Sequence, residues 1–348
     1  MMHAASPRVL IIYTGGTIGM VENPVTKSLH PFDFSALSAQ VPELAQLDVH
    51  LDTYSVSEPI DSSNMNPDLW GQLAQLIFDR YENYDGFVVL HGSDTMAYTA
   101  SALTFMFENL NKPVILTGSQ LPIGMIRTDG KENLISAIEI ASARQMGSPI
   151  VAEVAVYFEN QLYRGNRTHK HNAEQFEAFQ SPNYPILAEA GIRIIYNTNA
   201  LRPCNQLELK VHTQFDTQVG VITVFPGITE AWFSHLLSAP GIKAFVLRTF
   251  GSGNTPSQPW FLQLLQSAIE RGIIILNVTQ CAVGQVEQGR YETSVGLRDI
   301  GIVGGGDLTL EAAVTKLMFL LAQNLSFEEC HAQLQRSLRG ELTESKND

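Results

Sequence analysis

The chain has 348 residues, 45% of them hydrophobic and only 16% charged, which is more than one ordinary core holds and reads as a soluble, globular two-domain protein rather than a disordered one. Its net charge of −13 (22 Lys and Arg against 35 Asp and Glu) gives a surface that repels phosphate backbones and anionic lipid, so neither nucleic acid nor a membrane is an expected partner. The cysteines Cys204, Cys281 and Cys330 are odd in number and far apart, and the apolar run Val9–Tyr13 is too short for a secretion signal, so the expected location is cytoplasmic.

In chain order, Val9–Tyr13 is an unbroken apolar run of strand length. Pro67–Tyr81 opens with proline and then spaces its apolar residues as a helix does. Phe87–His91 reads as a buried strand, Ala97–Leu110 as a helix, Pro113–Gly118 as a strand and Gly130–Met146 as a long helix. Wholly apolar strands separated by helices predict a parallel sheet covered on both faces, a doubly wound α/β arrangement. The alternation stops at the polar, turn-rich stretch 197–212, read as a linker. It resumes with strands at Val219–Phe225, Lys243–Arg248 and Ile273–Asn277, and a helix at Thr309–Gln323. The predicted organisation is a larger N-terminal α/β domain over 1–196, with a doubly wound mixed or parallel sheet, and a smaller parallel-sheet α/β domain over 213–348. Lys316 interrupts the last apolar helix, so that helix cannot span a bilayer. The closing residues ELTESKND are expected to fray.

Turns that follow such strands lie at the carboxyl edge of the sheet, where open α/β folds bind ligands. The first is TGGTIG, Thr14–Gly19. Its glycines permit a tight turn and close backbone approach, and Thr17 adds a hydroxyl just beyond them. The spacing is not GxGxxG and no GK[ST] follows, so it is not a Walker loop; an ordinary structural turn is the plain alternative. The second is HGSDTM, His91–Met96, where Ser93, Asp94 and Thr95 are either chemistry or simply good N-caps for the following helix. The third is the loop Ser119–Gly130. No GxSxG, Cys–His pair or metal-ligand cluster competes with these; His169 and His171 flank Lys170 without a nearby third ligand, so no metal is expected. His91 reads as a packed or loop-bonding histidine.

TGGTIG, HGSDTM and Arg164–Asn183 (RGNRTHKHNAEQFEAFQSPN) together resemble the bacterial type I, cytoplasmic L-asparaginase family. So do Phe245–Asn254, Leu276–Cys281 and Gly305–Ala312, and the likeness runs in order through nearly the whole chain. The resemblance implies a cofactor-free amidohydrolase that turns L-asparagine into L-aspartate and ammonia. It implies that Thr17 is the nucleophile, with Ser93, Asp94 and Lys170 as its catalytic companions. Asp94 would also hold the substrate ammonium, and Ser62, within Asp61–Ser62–Ser63, its α-carboxylate. Gly16, Gly92 and Ser119 would complete the substrate-binding set. An amide carbon needs such a nucleophile, a hydroxyl needs a base to take its proton, and backbone N–H groups at the glycine turns can hold the oxyanion.

Three features depart from the family pattern. Ser93 stands where threonine is usual and lacks the methyl that fixes the rotamer. The polar stretch 19–34 reads as a lid but contains no tyrosine between Met20 and Phe34. Arg248, Asn254 and Cys281 match a second, allosteric asparagine pocket of the enterobacterial enzymes, yet the position beside the lysine is His169 instead of threonine. The resemblance also implies a homodimer or a tetramer built as a dimer of dimers, with the loop Gly251–Asn254 reaching toward a partner. Competing readings are a glutaminase–asparaginase of relaxed specificity, since one methylene is worth only about 1–3 kcal/mol in a pocket, a tRNA-dependent amidotransferase subunit, and a non-catalytic asparagine sensor. The acidic charge and the early position of Thr17 weigh against the second, and the intact Thr17, Asp94 and Lys170 against the third.

Overall fold

The computed structural model describes residues 6–22, 29–31, 41–205, 207–289 and 292–344. The chain divides into two compact units, the first ending at Thr213 and the second beginning at Gln214.

The first unit is built on an eight-stranded sheet. Its strands are β1 (Arg8–Tyr13), β2 (His50–Ser55), β3 (Gly86–Leu90), β4 (Val114–Thr117), β5 (Val154–Phe158), β6 (Gln161–Arg164), β7 (Ala188–Ala190) and β8 (Ile194–Tyr196). They lie side by side in the order β8-β7-β6-β5-β4-β3-β1-β2. The strands from β2 to β5 pair in parallel, and β6, β7 and β8 extend the sheet in antiparallel fashion. Beyond the exposed Arg8, β1 and β3 to β5 are almost wholly apolar because neither face meets water: Val9, Ile11, Val88, Val89, Ile115 and Val156 are all 0% exposed. Helices α1 (Pro67–Arg80), α2 (Met96–Met106) and α3 (Gly130–Ser142) lie between these strands in sequence. Asn66 caps α1 by accepting from the Leu69 N–H, and Pro67 occupies its first turn, where a missing N–H costs nothing.

The strand order carries the functional consequence. The chain leaves β1, passes to β2 on one side, and then returns to β3 on the other. The reversal opens a crevice at the carboxyl ends of β1 and β3, the place where doubly wound sheets hold ligands. TGGTIG follows β1 and HGSDTM follows β3, so both motifs line that crevice.

Two sequence expectations change here. The helix expected to reach Leu110 ends at Met106, because Phe107–Glu108 turns into a short strand paired with Lys210–Val211. The same pairing draws the described residues of the stretch 197–212 onto the first unit. Ala200 is 4% exposed, and its carbonyl accepts from Arg164 Nη2 at 2.8 Å. Arg164 also bonds Glu153 at 2.6 Å, and that carboxylate accepts the Arg202 N–H at 2.9 Å. The buried pair thereby fastens a polar stretch that no hydrophobic pattern would place.

The second unit carries a four-stranded parallel sheet in simple order: β9 (Val219–Thr223), β10 (Ala244–Thr249), β11 (Ile274–Thr279) and β12 (Val303–Gly304). Helices α4 (Glu230–Leu237), α5 (Pro259–Glu270), α6 (Glu292–Asp299), α7 (Leu310–Leu321) and α8 (Phe327–Leu334) follow the chain through it. Its core centres on Phe233 stacked on Phe261, with ring centroids 4.4 Å apart.

Residues 341–344 depart from the expectation of fraying, while 345–348 lie outside the described residues. Glu341 is 0% exposed and its carboxylate lies 2.7 Å from Lys316 Nζ, which is equally buried in α7. The Leu338 and Arg339 N–H groups also donate to that carboxylate, and Thr343 donates twice to Asp307. The lysine that interrupts the apolar run of α7 is thus an anchor for residues 336–344, a polar stretch that gave no sign of the burial of Glu341. Removing one member of a buried pair strands the other charge. Glu341→Ala is expected to destabilise the protein by about 3 kcal/mol in denaturant unfolding; a change within about 0.5 kcal/mol, the scale of a surface substitution, would contradict the anchor.

Candidate active site

The crevice is assembled by glycines packed without side chains between them. A Cβ on Gly16 (φ 88°) would sit 2.5 Å from the Gly92 nitrogen and 2.6 Å from its Cα. A Cβ on Gly92 would sit 2.5 Å from Ser62 Oγ and 2.7 Å from Ser62 Cβ. The turns after β1 and β3 are therefore in backbone contact, with the Ser62 side chain of the loop after β2 pressed on Gly92, and only glycine permits this. Gly16 precedes Thr17 and Gly92 precedes Ser93, so the two hydroxyl residues spring from adjoining backbones. The Thr14 N–H and Oγ1 both donate to the Leu90 carbonyl, at 3.0 and 2.9 Å, and the Ile60 N–H donates to the Thr14 carbonyl at 2.8 Å. These bonds lock the three loop stems.

Thr17 opens a single 3-10 turn, Thr17–Gly19, entered through Gly16. Beneath it lies Tyr13, whose hydroxyl donates to the Gly19 carbonyl at 3.3 Å; burial pushes that phenol up to about 12. The part of the expected lid covering 23–28 and 32–34 falls outside the described residues; the flanking segments Met20–Glu22 and Leu29–Pro31 pair as an antiparallel ribbon.

Ser93 and Asp94 do not act as helix caps. Thr95 is the N-cap residue of α2, yet makes no capping bond; its hydroxyl donates instead to the Ser62 carbonyl at 2.7 Å. Lys170 Nζ donates to Ser93 Oγ at 2.9 Å and to Asp94 Oδ1 at 2.6 Å. The lysine side chain is 14% exposed and the Asp94 side chain 69%. One carboxylate oxygen is thus engaged while the group stays open to a cationic ligand. Lys170 arrives on a two-residue strand, His169–Lys170, paired with Phe179–Gln180.

The remaining sequence-predicted residues fall as follows. Ser62 is 4% exposed, pressed against Gly92. Asp61 is exposed and turned onto its own loop, where its carboxylate accepts the Ser63 N–H and hydroxyl at 2.9 and 2.8 Å; these bonds hold it below the usual carboxylate range. Ser119 is 2% exposed, its hydroxyl donating to the Leu121 carbonyl, and its Cβ lies close to Gly130 on the side that Ile18 also approaches. Arg248, Asn254 and Cys281 gather at the carboxyl ends of β10 and β11 in the second unit. There Phe250 bridges to Asn254, and Gln280 donates to the Arg248 carbonyl at 2.9 Å. His169 belongs to the first unit.

The structure adds residues that sequence reasoning passed over. Gln120 accepts from Ser93 Oγ at 3.4 Å and donates to the Gln175 carbonyl at 2.9 Å. Asp129, 8% exposed, accepts the N–H groups of Gln120 and Leu121 and so shapes the loop after β4; burial raises its carboxyl despite those bonds. Its place at the N-cap of α3 was the available signal. His91 is fully buried and bonded on both nitrogens, as a loop-bonding histidine should be: Nδ1 lies 2.7 Å from the Gly92 carbonyl and Nε2 2.9 Å from Thr99 Oγ1.

Two domain families match the chain: the asparaginase N-terminal domain over residues 8–202 and the glutaminase/asparaginase C-terminal domain over 218–334. It is 44% identical over 340 residues to L-asparaginase 1 of Escherichia coli K12, covering 96% of this chain and 98% of that protein. It is 42% identical over 369 residues to the mouse 60 kDa lysophospholipase, covering 99% of this chain and 64% of that longer protein. Among solved structures, L-asparaginase I of Vibrio cholerae superposes with a TM-score of 0.88 at 44% identity, over 97% of this chain and 99% of that one.

Burial lowers the His91 imidazole to about 4, so it is neutral in the fold at neutral pH, whereas in the unfolded chain it protonates near 6.5. Its contribution to stability is complete above the unfolded value and is lost as pH falls from about 6.5 toward about 4, a loss of about 3 kcal/mol at most. His91→Gln should flatten the acid limb of the unfolding free energy over that window; an unchanged slope would show that His91 does not titrate as described.

Proposed function

The chain belongs to the asparaginase family, and we propose that Thr17 is the nucleophile with which it hydrolyses L-asparagine to L-aspartate and ammonia. The observation that carries this reading is Lys170 bonded at once to Ser93 and Asp94, beside a turn whose backbone touches that of Thr17's own turn. A hydroxyl alone attacks an amide poorly; a hydroxyl–ammonium–carboxylate chain next to it gives the proton a path. In the first step the Thr17 oxygen bonds the carboxamide carbon, and its proton passes through Ser93, whose oxygen is held by Lys170, to the departing nitrogen. Ammonia leaves and an aspartyl ester of Thr17 remains. Water then attacks that ester, and Thr17 regains its proton. Backbone N–H groups at the two glycine turns face the developing oxyanion.

The rest of the substrate is a zwitterion and needs one anion and several donors. Asp94, with its open carboxylate, takes the ammonium. Ser62, held by its contact with Gly92 and by Thr95, takes the α-carboxylate with Ser63 and Gly16 beside it, while Asp61 orders the Ser63 turn. Ser119 lines the amide end.

Several wider features belong to the same proposal. The first unit carries the chemistry. Arg248, Asn254 and Cys281 form the core of a second amino-acid site within the second unit. The enzyme assembles as a homodimer or homotetramer. In support, Val221, Phe225 and Trp232 in the second unit are 47%, 44% and 43% exposed, and the last two rings pack edge to face at 5.6 Å. Its place is the cytoplasm: Cys204, Cys281 and Cys330 are all free thiols. No helix among the described residues is long and apolar enough to cross a membrane.

Thr17→Ala is expected to lower ammonia release from asparagine by at least about 10³-fold while leaving the fold intact, since what remains is binding and oxyanion stabilisation. A variant with undiminished amidase activity would refute the nucleophile assignment. The same assay run with asparagine and glutamine across concentration separates strict from relaxed specificity, and a sigmoidal curve would mark a working second site.

A further inference from the structure

Gly92 poses a mechanical problem. It must be glycine, because Ser62 fills the space a Cβ would need. Yet glycine leaves the following peptide free to swivel about its soft dihedrals. That peptide, Gly92–Ser93, carries both the catalytic hydroxyl residue and the N–H group at the start of Ser93. A site that requires fixed dipoles must hold it from elsewhere.

We propose that a buried hydrogen-bond relay, Trp70 to Thr99 to His91 to the Gly92 carbonyl, is the positioning device that sets the plane of the Gly92–Ser93 peptide in the catalytic loop. Trp70 Nε1 lies 3.0 Å from Thr99 Oγ1, Thr99 Oγ1 lies 2.9 Å from His91 Nε2, and His91 Nδ1 lies 2.7 Å from the Gly92 carbonyl. Trp70 is 5% exposed, Thr99 0% and His91 1%.

The direction of every proton in the relay follows from its ends. An indole N–H can only donate and a carbonyl can only accept. The proton of the imidazole is therefore on Nδ1, pointing at Gly92, and Nε2 is the bare nitrogen that accepts from Thr99. Thr99 spends its one proton on His91 and accepts from Trp70. The neutral state of His91 agrees with this order, since an imidazolium would point a second N–H at Thr99. In a trans peptide the N–H lies opposite the C=O. Drawing the Gly92 carbonyl toward His91 thus points the Ser93 N–H the opposite way within the peptide plane. The relay spans three elements, from α1 through α2 to the loop after β3, so two helices of the scaffold hold one peptide of the site. Breaking it in the middle strands buried polar groups on both sides and frees the peptide.

The inference rests on the proposed function, and its test separates the two. In the wild-type protein, without substrate, ¹⁵N NMR of the His91 ring should report a neutral imidazole protonated on Nδ1. Thr99→Val should lower kcat on asparagine about tenfold with KM kept within about twofold, the effect of one lost hydrogen bond acting on the reacting state. Thr99→Ser, which restores the hydroxyl, should recover kcat to within about twofold of wild type. An Nε2-protonated ring, a Thr99→Val enzyme with undiminished kcat, or a Thr99→Ser enzyme as impaired as Thr99→Val would each overturn the relay. If Thr99→Val does not fold, the wild-type tautomer and Thr99→Ser still decide. Equal ammonia release by wild type and Thr17→Ala would refute the nucleophile instead, with the tautomer still deciding the relay.

Discussion

Everything at this site depends on two backbones being allowed to touch. The turn after β1 and the turn after β3 meet at Gly16 and Gly92, where a methyl group on Gly16 would strike the Gly92 backbone and one on Gly92 would strike Ser62 in the loop after β2. The strand order makes the encounter possible by putting β1 and β3 side by side with β2 on the far side. A displacement of about 1 Å between two reacting groups can cost about 10²-fold in rate. Contact between main chains fixes that separation better than contact between rotamers.

Charge is then placed on this frame with care for solvent. Lys170 is largely buried and held by two partners, Ser93 on one side and Asp94 on the other. Asp94 is left mostly in water, so the pair avoids the desolvation cost that a closed ion pair would suffer. The contrast with Lys316 and Glu341 is instructive. That pair is sealed from water and carries its compensation in backbone N–H and carbonyl groups, which suits an anchor. An open pair can exchange its partner for a ligand, and a sealed one cannot.

Much of this was legible in the residues. Apolar runs at Val9–Tyr13 and Phe87–Leu90 are buried parallel strands, and the glycine-rich turns that follow them frame the crevice. The resemblance carried by TGGTIG and HGSDTM agreed with the family that the whole chain matches. What escaped was held by polar contacts between residues distant in sequence. Nothing local marks residues 197–212 as packed, since the Glu153–Arg164 pair that fastens them lies elsewhere. Phe107 reads as helix until Val211 pairs with it. The closing segment reads as frayed until Lys316 is seen to need a counter-charge. His91 was legible as a packed or loop-bonding histidine, but neither of the partners on its ring nitrogens follows from periodicity.

The chemistry turns on where one oxygen points. A crystal structure with L-aspartate bound should place Thr17 Oγ1 about 3–3.5 Å from the side-chain carboxyl carbon of the ligand, with the ammonium on Asp94. Thr17 Oγ1 directed away from an aspartate held by other residues would contradict it.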